Sequence, residues 1–392
     1  MRVGIGRETF PGERRVALVP GVIPALTKLG FEVLLEKGAG DSAAFPDPMY
    51  QEKGARILDE RREVFDSSDI ILQVLGLGAN PDAGVSDLEL FHEDQIIIGF
   101  LDPFSSPESI KRSAERKVSA FAMELIPRTT RAQSMDALSS MATIAGYKAV
   151  LLAAEALPKM FPMLMTAAGT VTPAHVFVVG AGVAGLQAIA TARRLGAVVC
   201  SYDIRPAVKE QVESLGAKFV ELPLETRGAE DKSGYARAMD EEFYRKQREL
   251  MGRVLAENDV AITTAAVPGK KAPVLITEEM VKRMKQNSLI VDLAAERGGN
   301  CELTRPGETV IKHDVTIMGP LNLPSTIPYD ASQMYAKNVL NFLLHLFKDG
   351  KPRFDEEDEI IRETIVTHRG EIVNPRLREI LGITLSAERR KE

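Results

Sequence analysis

His175-Val176-Phe177-Val178-Val179-Gly180-Ala181-Gly182-Val183-Ala184-Gly185 is the stretch that decides the fold of this 392-residue chain. An apolar run rich in valine leads into G-x-G-x-x-G, and small residues continue to Leu195 in a helical pattern. Each glycine meets a physical need. Gly180 permits the tight turn, Gly182 lets backbone approach a pyrophosphate, and Gly185 lets the helix pack closely on the strand. The helix start at Val183 and Ala184 offers N–H groups and a positive dipole end to an anion. The next strand, Val198 to Tyr202, ends in Asp203. A carboxylate there accepts from adenosine ribose hydroxyls and repels a 2′-phosphate, so NAD is expected rather than NADP. Arg205 is the one residue that pulls the other way.

Outward from this turn, further strands are expected at Lys218–Val220, Val260–Thr263, Ser288–Leu293 and Val315–Met318. Helices between them are expected at Pro206–Leu215, Glu241–Asn258 and Glu278–Met284, which completes a doubly wound unit. Thr263 to Gly269 forms a second glycine-bearing turn, where Ala266 either lines the cofactor crevice or belongs to an ordinary turn. Leu222 to Tyr235 fits no element and reads as a long mobile loop.

Upstream, strands at Val3–Ile5, Glu32–Leu35, Ile70–Val74, Gln95–Phe100 and Val118–Met123 alternate with helical stretches such as Val22–Leu29. A long helix is expected from Ser134 to Met160. Downstream, Tyr329 to Leu346 reads as an amphipathic helix returning to the first domain, and Asp355 to Glu359 as a solvated acidic surface. The fold class is therefore α/β, two Rossmann-like doubly wound parallel-sheet domains with a cleft between them. The expected domains are 1–140 with 327–392, and 141–326.

Composition narrows the function. Forty-five per cent hydrophobic residues exclude a disordered chain, and a formal charge of −6 argues against a nucleic-acid binder. Two cysteines, Cys200 and Cys301, cannot build a disulfide framework, so a reducing compartment is expected. Cys200 reads as a core thiol and Cys301 as partly exposed. The five histidines lack metal-ligand spacing, and no metal is expected. Met160, Met163 and Met165 read as core or domain-junction packing. Val3–Ile5 is too short for a signal-peptide core, and no run of eighteen uninterrupted apolar residues occurs, so the chain is not expected to cross a membrane by itself.

Chemistry concentrates in Pro127-Arg128-Thr129-Thr130-Arg131-Ala132-Gln133-Ser134-Met135-Asp136. Arg128 and Asp136 either form a surface ion pair of little energetic weight or hold a nicotinamide carboxamide and its ribose. Together with Arg7-Glu8-Thr9, Glu13-Arg14-Arg15-Val16-Ala17, Met165 to Val171, the glycine turn and Asp292 to Cys301, this segment resembles a known family. That family is the soluble NAD(H)-binding components (domain I of the alpha subunit) of proton-translocating NAD(P) transhydrogenases. The likeness runs through essentially the whole chain. It implies that Arg128, Thr129, Gln133, Asp136 and Ser139 surround the nicotinamide, with Arg128, Gln133, Asp136 and Ser139 serving hydride transfer. It also implies that Tyr235 belongs to a mobile loop. The adenosine side is implied to use Asp203, Ile204 and Arg205, with Gly234, Gln247 and Ala266 as further contacts.

The same resemblance implies a homodimer on the cytoplasmic side of the membrane, docked on membrane subunits. One of these, the beta subunit, binds NADP(H), and hydride passes from NADH here to NADP⁺ there, coupled to proton translocation. The nearest rival, alanine dehydrogenase, needs a lysine and a histidine beside an arginine for the substrate carboxylate. Arg15 is retained, but the expected lysine position is Leu75 and the expected histidine position is Asp102. Oxidising an amine moves a proton and needs a general base. Transfer between two nicotinamides moves only hydride and needs positioning and water exclusion. A non-catalytic NAD(H)-sensing module is the remaining alternative.

Overall fold

The computed structural model describes residues 1–221, 241–266, 271–348 and 350–383. The chain divides into two compact units, Met1–Met141 with the return from Ser325, and Ala142–Pro324. In the first, an eight-stranded sheet runs in the order Glu371–Ile372, Ile365–His368, Ser119–Ala122, Ile96–Phe100, Ile70–Leu75, Arg2–Ile5, Glu32–Glu36, Arg56–Leu58. In the second, a seven-stranded sheet runs Lys218–Phe219, Val198–Tyr202, His175–Val179, Val260–Thr263, Leu289–Asp292, Val315–Met318, Thr309–Lys312. Counted along the chain, the six parallel strands of each sheet are arranged 3-2-1-4-5-6, the Rossmann order. In each sheet, strand order reverses between strands 1 and 4.

The expected α/β class with two parallel sheets therefore stands, with one addition. Each sheet ends in antiparallel strands that the sequence pattern does not announce. Their hairpins turn on His313-Asp314 and Arg369-Gly370, with every φ positive at 53°, 59°, 47° and 86°. Tight hairpins need that geometry, but His-Asp and Arg-Gly lack the usual Asn-Gly signature.

The long central helix spans Ala137–Ala156, shorter at both ends than expected, and a 3-10 turn at Gln133–Met135 precedes it. The Asp136 carboxylate sets its start by accepting Ser139 N–H at 2.8 Å and Ser139 Oγ–H at 2.5 Å. Pro158, which cannot continue a helix, follows its end. Among the described residues this is the one helix long and apolar enough to cross a bilayer. Its run is interrupted by Lys148 and Glu155, and Ala149, Val150 and Ala153 pack into the core of the second unit.

The methionines beyond it correct an expectation. Met160, Met163 and Met165 are not core but 48%, 59% and 78% exposed. Met165 lies on a hairpin, Leu164–Thr166 with Gly169–Val171, whose strand residues are all exposed.

Candidate nucleotide-binding site

The glycine turn follows strand 1 of the second sheet, where strand order reverses and a crevice opens beyond the strand ends. Gly180 has φ +97°, and a side chain there would meet Thr264 Oγ1 at 2.6 Å. That hydroxyl donates to the Gly180 carbonyl at 3.0 Å, tying strand 4 to the turn. At Gly185 a Cβ would stand 1.8 Å from the Gly180 carbonyl oxygen. Gly146 brings the central helix equally close, since a Cβ there would lie 2.1 Å from the Ala184 carbonyl.

Gly182 differs from these three glycines. It N-caps the twelve-residue helix Val183–Arg194 at φ −76°, with no capping side chain and no atom within 4 Å of a built Cβ. An uncapped helix start opening on free space suits a pyrophosphate. Val183 and Ala184 are half-buried at that opening, and Ala266, after strand 4, is exposed.

Asp203 is 8% exposed and already engaged. Its Oδ2 accepts Ala181 N–H at 2.7 Å and Arg205 Nη2 at 2.9 Å, and its Oδ1 accepts the Arg205 backbone N–H and Nε, both at 2.9 Å. Arg205, the residue that pulled toward a 2′-phosphate, is thus bound in a forked pair to the carboxylate that repels one. A ribose hydroxyl at Asp203 has to share or displace one of these donors. Ile204 is half-buried beside the pair. Gln247 is 3% exposed and donates to the Tyr202 hydroxyl at 2.9 Å, while its Oε1 is buried without a partner, an acceptor open to a ligand. Gly234, Tyr235 and the 222–235 loop lie outside the described residues, as do 267–270 of the second glycine turn.

A fully buried carboxylate, Asp292, shapes the opposite lip of the crevice. Its Oδ1 accepts from Thr263 Oγ1 and Ala294 N–H, and its Oδ2 accepts from Asn300 N–H, Cys301 N–H and Thr304 Oγ1, at 2.7–3.0 Å. Asn300, also fully buried, pairs with both backbone groups of Ala265. The sequence marked this stretch only through a family likeness. A strand-ending Asp followed by Gly-Gly-Asn was the available signal. Cys301 is 1% exposed rather than partly exposed, and burial pushes its thiol up to about 11, which leaves it inert at neutral pH. Among the described residues no group of three His, Cys, Asp or Glu side chains is placed to hold a metal.

The 128–139 segment lies in the first unit. Arg128 and Gln133 are exposed, Thr129, Asp136 and Ser139 half-buried. The structure brings Asp136 and Ser139 into one cap, so both oxygens of the Asp136 carboxylate serve the helix start.

Comparison with known proteins agrees with this geometry. The description "Alanine dehydrogenase/PNT, N-terminal domain" matches residues 4–145, and its C-terminal counterpart matches 149–375. The chain belongs to the alanine dehydrogenase/PNT family. It is 48% identical over 380 residues to the first of the chains that make up the NAD(P) transhydrogenase alpha subunit of Rhodospirillum rubrum, covering 96% of this chain and 99% of that one. The solved transhydrogenase of Sinorhizobium meliloti superposes with a TM-score of 0.82 at 41% identity, covering 96% of this chain and all of that one. A solved L-alanine dehydrogenase reaches 0.79 at 24% identity over 97% and 99% of the two chains, a likeness of fold.

In this alanine dehydrogenase/PNT family member the first unit closes its own switch point. The Glu8 carboxylate follows strand 1 and accepts Val74 and Leu75 N–H at the end of strand 4, at 2.6 and 3.1 Å. Arg15 is forked onto Glu13 through Nε and Nη2 at 2.8 and 2.6 Å, with side-chain exposures of 3% and 0%. Leu75 and Asp102 stand where a dehydrogenase needs lysine and histidine.

Burial, then the Glu13 charge, pushes Glu8 up to about 8 against the opposing backbone donors. Its carboxyl is thus held protonated in the fold at pH values where the unfolded chain has ionised. Stability from this group is full below the unfolded value near 4.5, declines as pH rises, and is flat above about 8. Glu8→Gln is therefore expected to flatten the stability–pH profile between those limits and to gain relative to the parent toward pH 8. Urea unfolding at half-unit pH steps checks this, and an unchanged slope excludes it.

Proposed function

We propose that this chain is the NAD(H)-binding component of a proton-translocating NAD(P) transhydrogenase. In that Re/Si-specific reaction, hydride passes from NADH held here to NADP⁺ on a beta-type partner, coupled to proton movement through membrane subunits. The observation that carries the reading is the sealed first unit. A site that oxidised an amino acid would need an exposed arginine and a proton relay. Here Arg15 is spent on Glu13, and Leu75 and Asp102 offer neither lysine nor histidine. Identity near 48% over almost the full length of a transhydrogenase subunit points the same way.

When bound, the nicotinamide supplies the hydride chemistry. The chain's own work is positioning. The Gly180–Gly185 turn and the start of its helix bind the pyrophosphate. Asp203, with Ile204 and Arg205, selects the ribose that lacks a 2′-phosphate, and Gln247, Ala266 and Gly234 border the adenosine. Arg128, Thr129, Asp136 and Ser139 orient the carboxamide and its ribose, Gln133 faces the partner's nucleotide, and Tyr235 excludes water. Domains of 1–140 with 327–392, and 141–326, divide these tasks. The exposed Met163, Leu164, Met165 and Val171 lie near an apolar groove of about 590 Å³ lined by Leu157, Met160, Phe161 and Leu195, which favours a homodimer. The dimer would sit on the cytoplasmic face of the membrane through its partners.

Mixing the chain with a transhydrogenase NADP(H)-binding subunit, NADH and NADP⁺ is expected to form NADPH, while the chain alone with L-alanine and NAD⁺ forms no NADH. Alanine oxidation by the isolated chain would overturn the reading. NADH binding without any transfer would make the protein a sensor instead.

A further inference from the structure

The acidic run 355–359, expected as free surface, instead reaches the turn that carries Gln133. Ser134 places its carbonyl against two amides one helical turn apart on Pro328–Leu346: Asn338 Nδ2 donates at 2.9 Å and Asn341 Nδ2 at 3.0 Å. On the other side of Gln133, Arg131 Nη2 donates to Asp358 Oδ1 at 3.1 Å. That carboxylate also caps the Glu359–Thr364 helix through Ile360 N–H at 2.8 Å and meets His345 Nε2 at 3.1 Å. Ala132 and Met135 are buried beneath, while Gln133 itself is exposed. The turn is thus held on both sides of the one side chain it presents.

From this geometry we infer that Asn338 and Asn341 are positioning residues for hydride transfer, fixing the Ser134 carbonyl so that Gln133 is presented in one orientation. The inference rests on the function proposed above. Arg131 is more than half exposed, and a screened pair of that kind holds a backbone loosely. Two amide donors on one carbonyl, both from a regular helix, fix it in distance and direction. Asn338 is 6% exposed and its Oδ1 is buried without a partner, a burden the fold carries while Nδ2 makes this bond.

The test is the double variant Asn338→Ala/Asn341→Ala, with Asn341→Ala alone as the milder form should the double variant fold poorly. Each is assayed with the NADP(H)-binding partner at saturating NADH and NADP⁺. Since small misplacements cost up to about 100-fold in rate, the double variant is expected to lose about 10-fold in turnover and the single variant about 3-fold. The dissociation constant for NADH, measured without the partner, should stay within about 2-fold. Adding Gln133→Ala to the double variant should cause little further loss, because its orientation is already gone. Equal rates in parent and variants overturn the inference alone, and so do losses that multiply with Gln133→Ala. A parent chain that transfers no hydride overturns the proposed function and this inference with it.

Discussion

Gly182→Ala is expected to weaken NADH binding by about 30- to 100-fold while leaving stability within about 1 kcal/mol of the parent. The affinity loss follows from what occupies the space. No protein atom lies within 4 Å of the methyl position, so the new group enters the free volume in front of the helix start. A pyrophosphate held there by backbone N–H groups loses its close approach. Charge-assisted bonds of that kind are worth about 1.5–3 kcal/mol each, and tenfold in affinity is about 1.4 kcal/mol.

Stability responds differently. The backbone at φ −76°, ψ −169° suits alanine, so no strain arises. Loss of a good N-cap residue costs about 0.5–1 kcal/mol, and the stiffer unfolded chain returns about 0.4–1. The neighbouring glycines cannot make this separation. A Cβ at Gly185 collides with the Gly180 carbonyl at 1.8 Å, so fold and binding fail together. Titration of NADH by fluorescence, beside thermal unfolding of the same sample, checks the pair of outcomes. Unchanged affinity would remove the pyrophosphate from this turn.

The strand–turn–helix–Asp sequence from His175 to Asp203 was legible because each step has a local cause: periodicity, a φ that glycine tolerates, and an acid at a strand end. What escaped had non-local causes. Asp203 and Arg205 read as competing signals, yet the fold pairs them, and only the distances reveal that one cancels the other. Asp358 looked like a solvated acid until its partners, more than two hundred residues back at Arg131 and nearby at His345, were placed. Met165 looked like core because composition records no neighbours, and its hairpin leaves it bare. Asn338 and Asn341 carry no motif at all, and their meaning comes from the carbonyl they meet.

Asp292→Ala is expected to destabilise the protein by roughly 4 kcal/mol, with a fall in NADH affinity as a second effect. Asp292 accepts five hydrogen bonds at a fully buried site, three from the backbone N–H groups of Ala294, Asn300 and Cys301. Thr263 and Thr304 hydroxyls can rotate to other acceptors, whereas the three amides are fixed by the chain. Each stranded buried donor costs about 1–3 kcal/mol, so three give about 3–9, and water entering the space left by the carboxylate brings the total toward the lower half.

The second effect runs through Asn300. Its backbone N–H is held by Asp292, and its side chain matches both polar groups of Ala265 beside the crevice, so loosening residue 300 releases the 264–266 edge. Asp292→Asn is the sharper control. It keeps one acceptor oxygen and puts a donor where the other stood, facing either the Thr263 and Ala294 donors or the Asn300, Cys301 and Thr304 donors. It should recover less than half of the loss, because an isosteric amide cannot accept from both sides. Urea unfolding of parent, Asp292→Ala and Asp292→Asn decides it. A loss below about 1 kcal/mol in the alanine variant would mean that these amides find other partners and that the carboxylate does not hold the lip of the crevice.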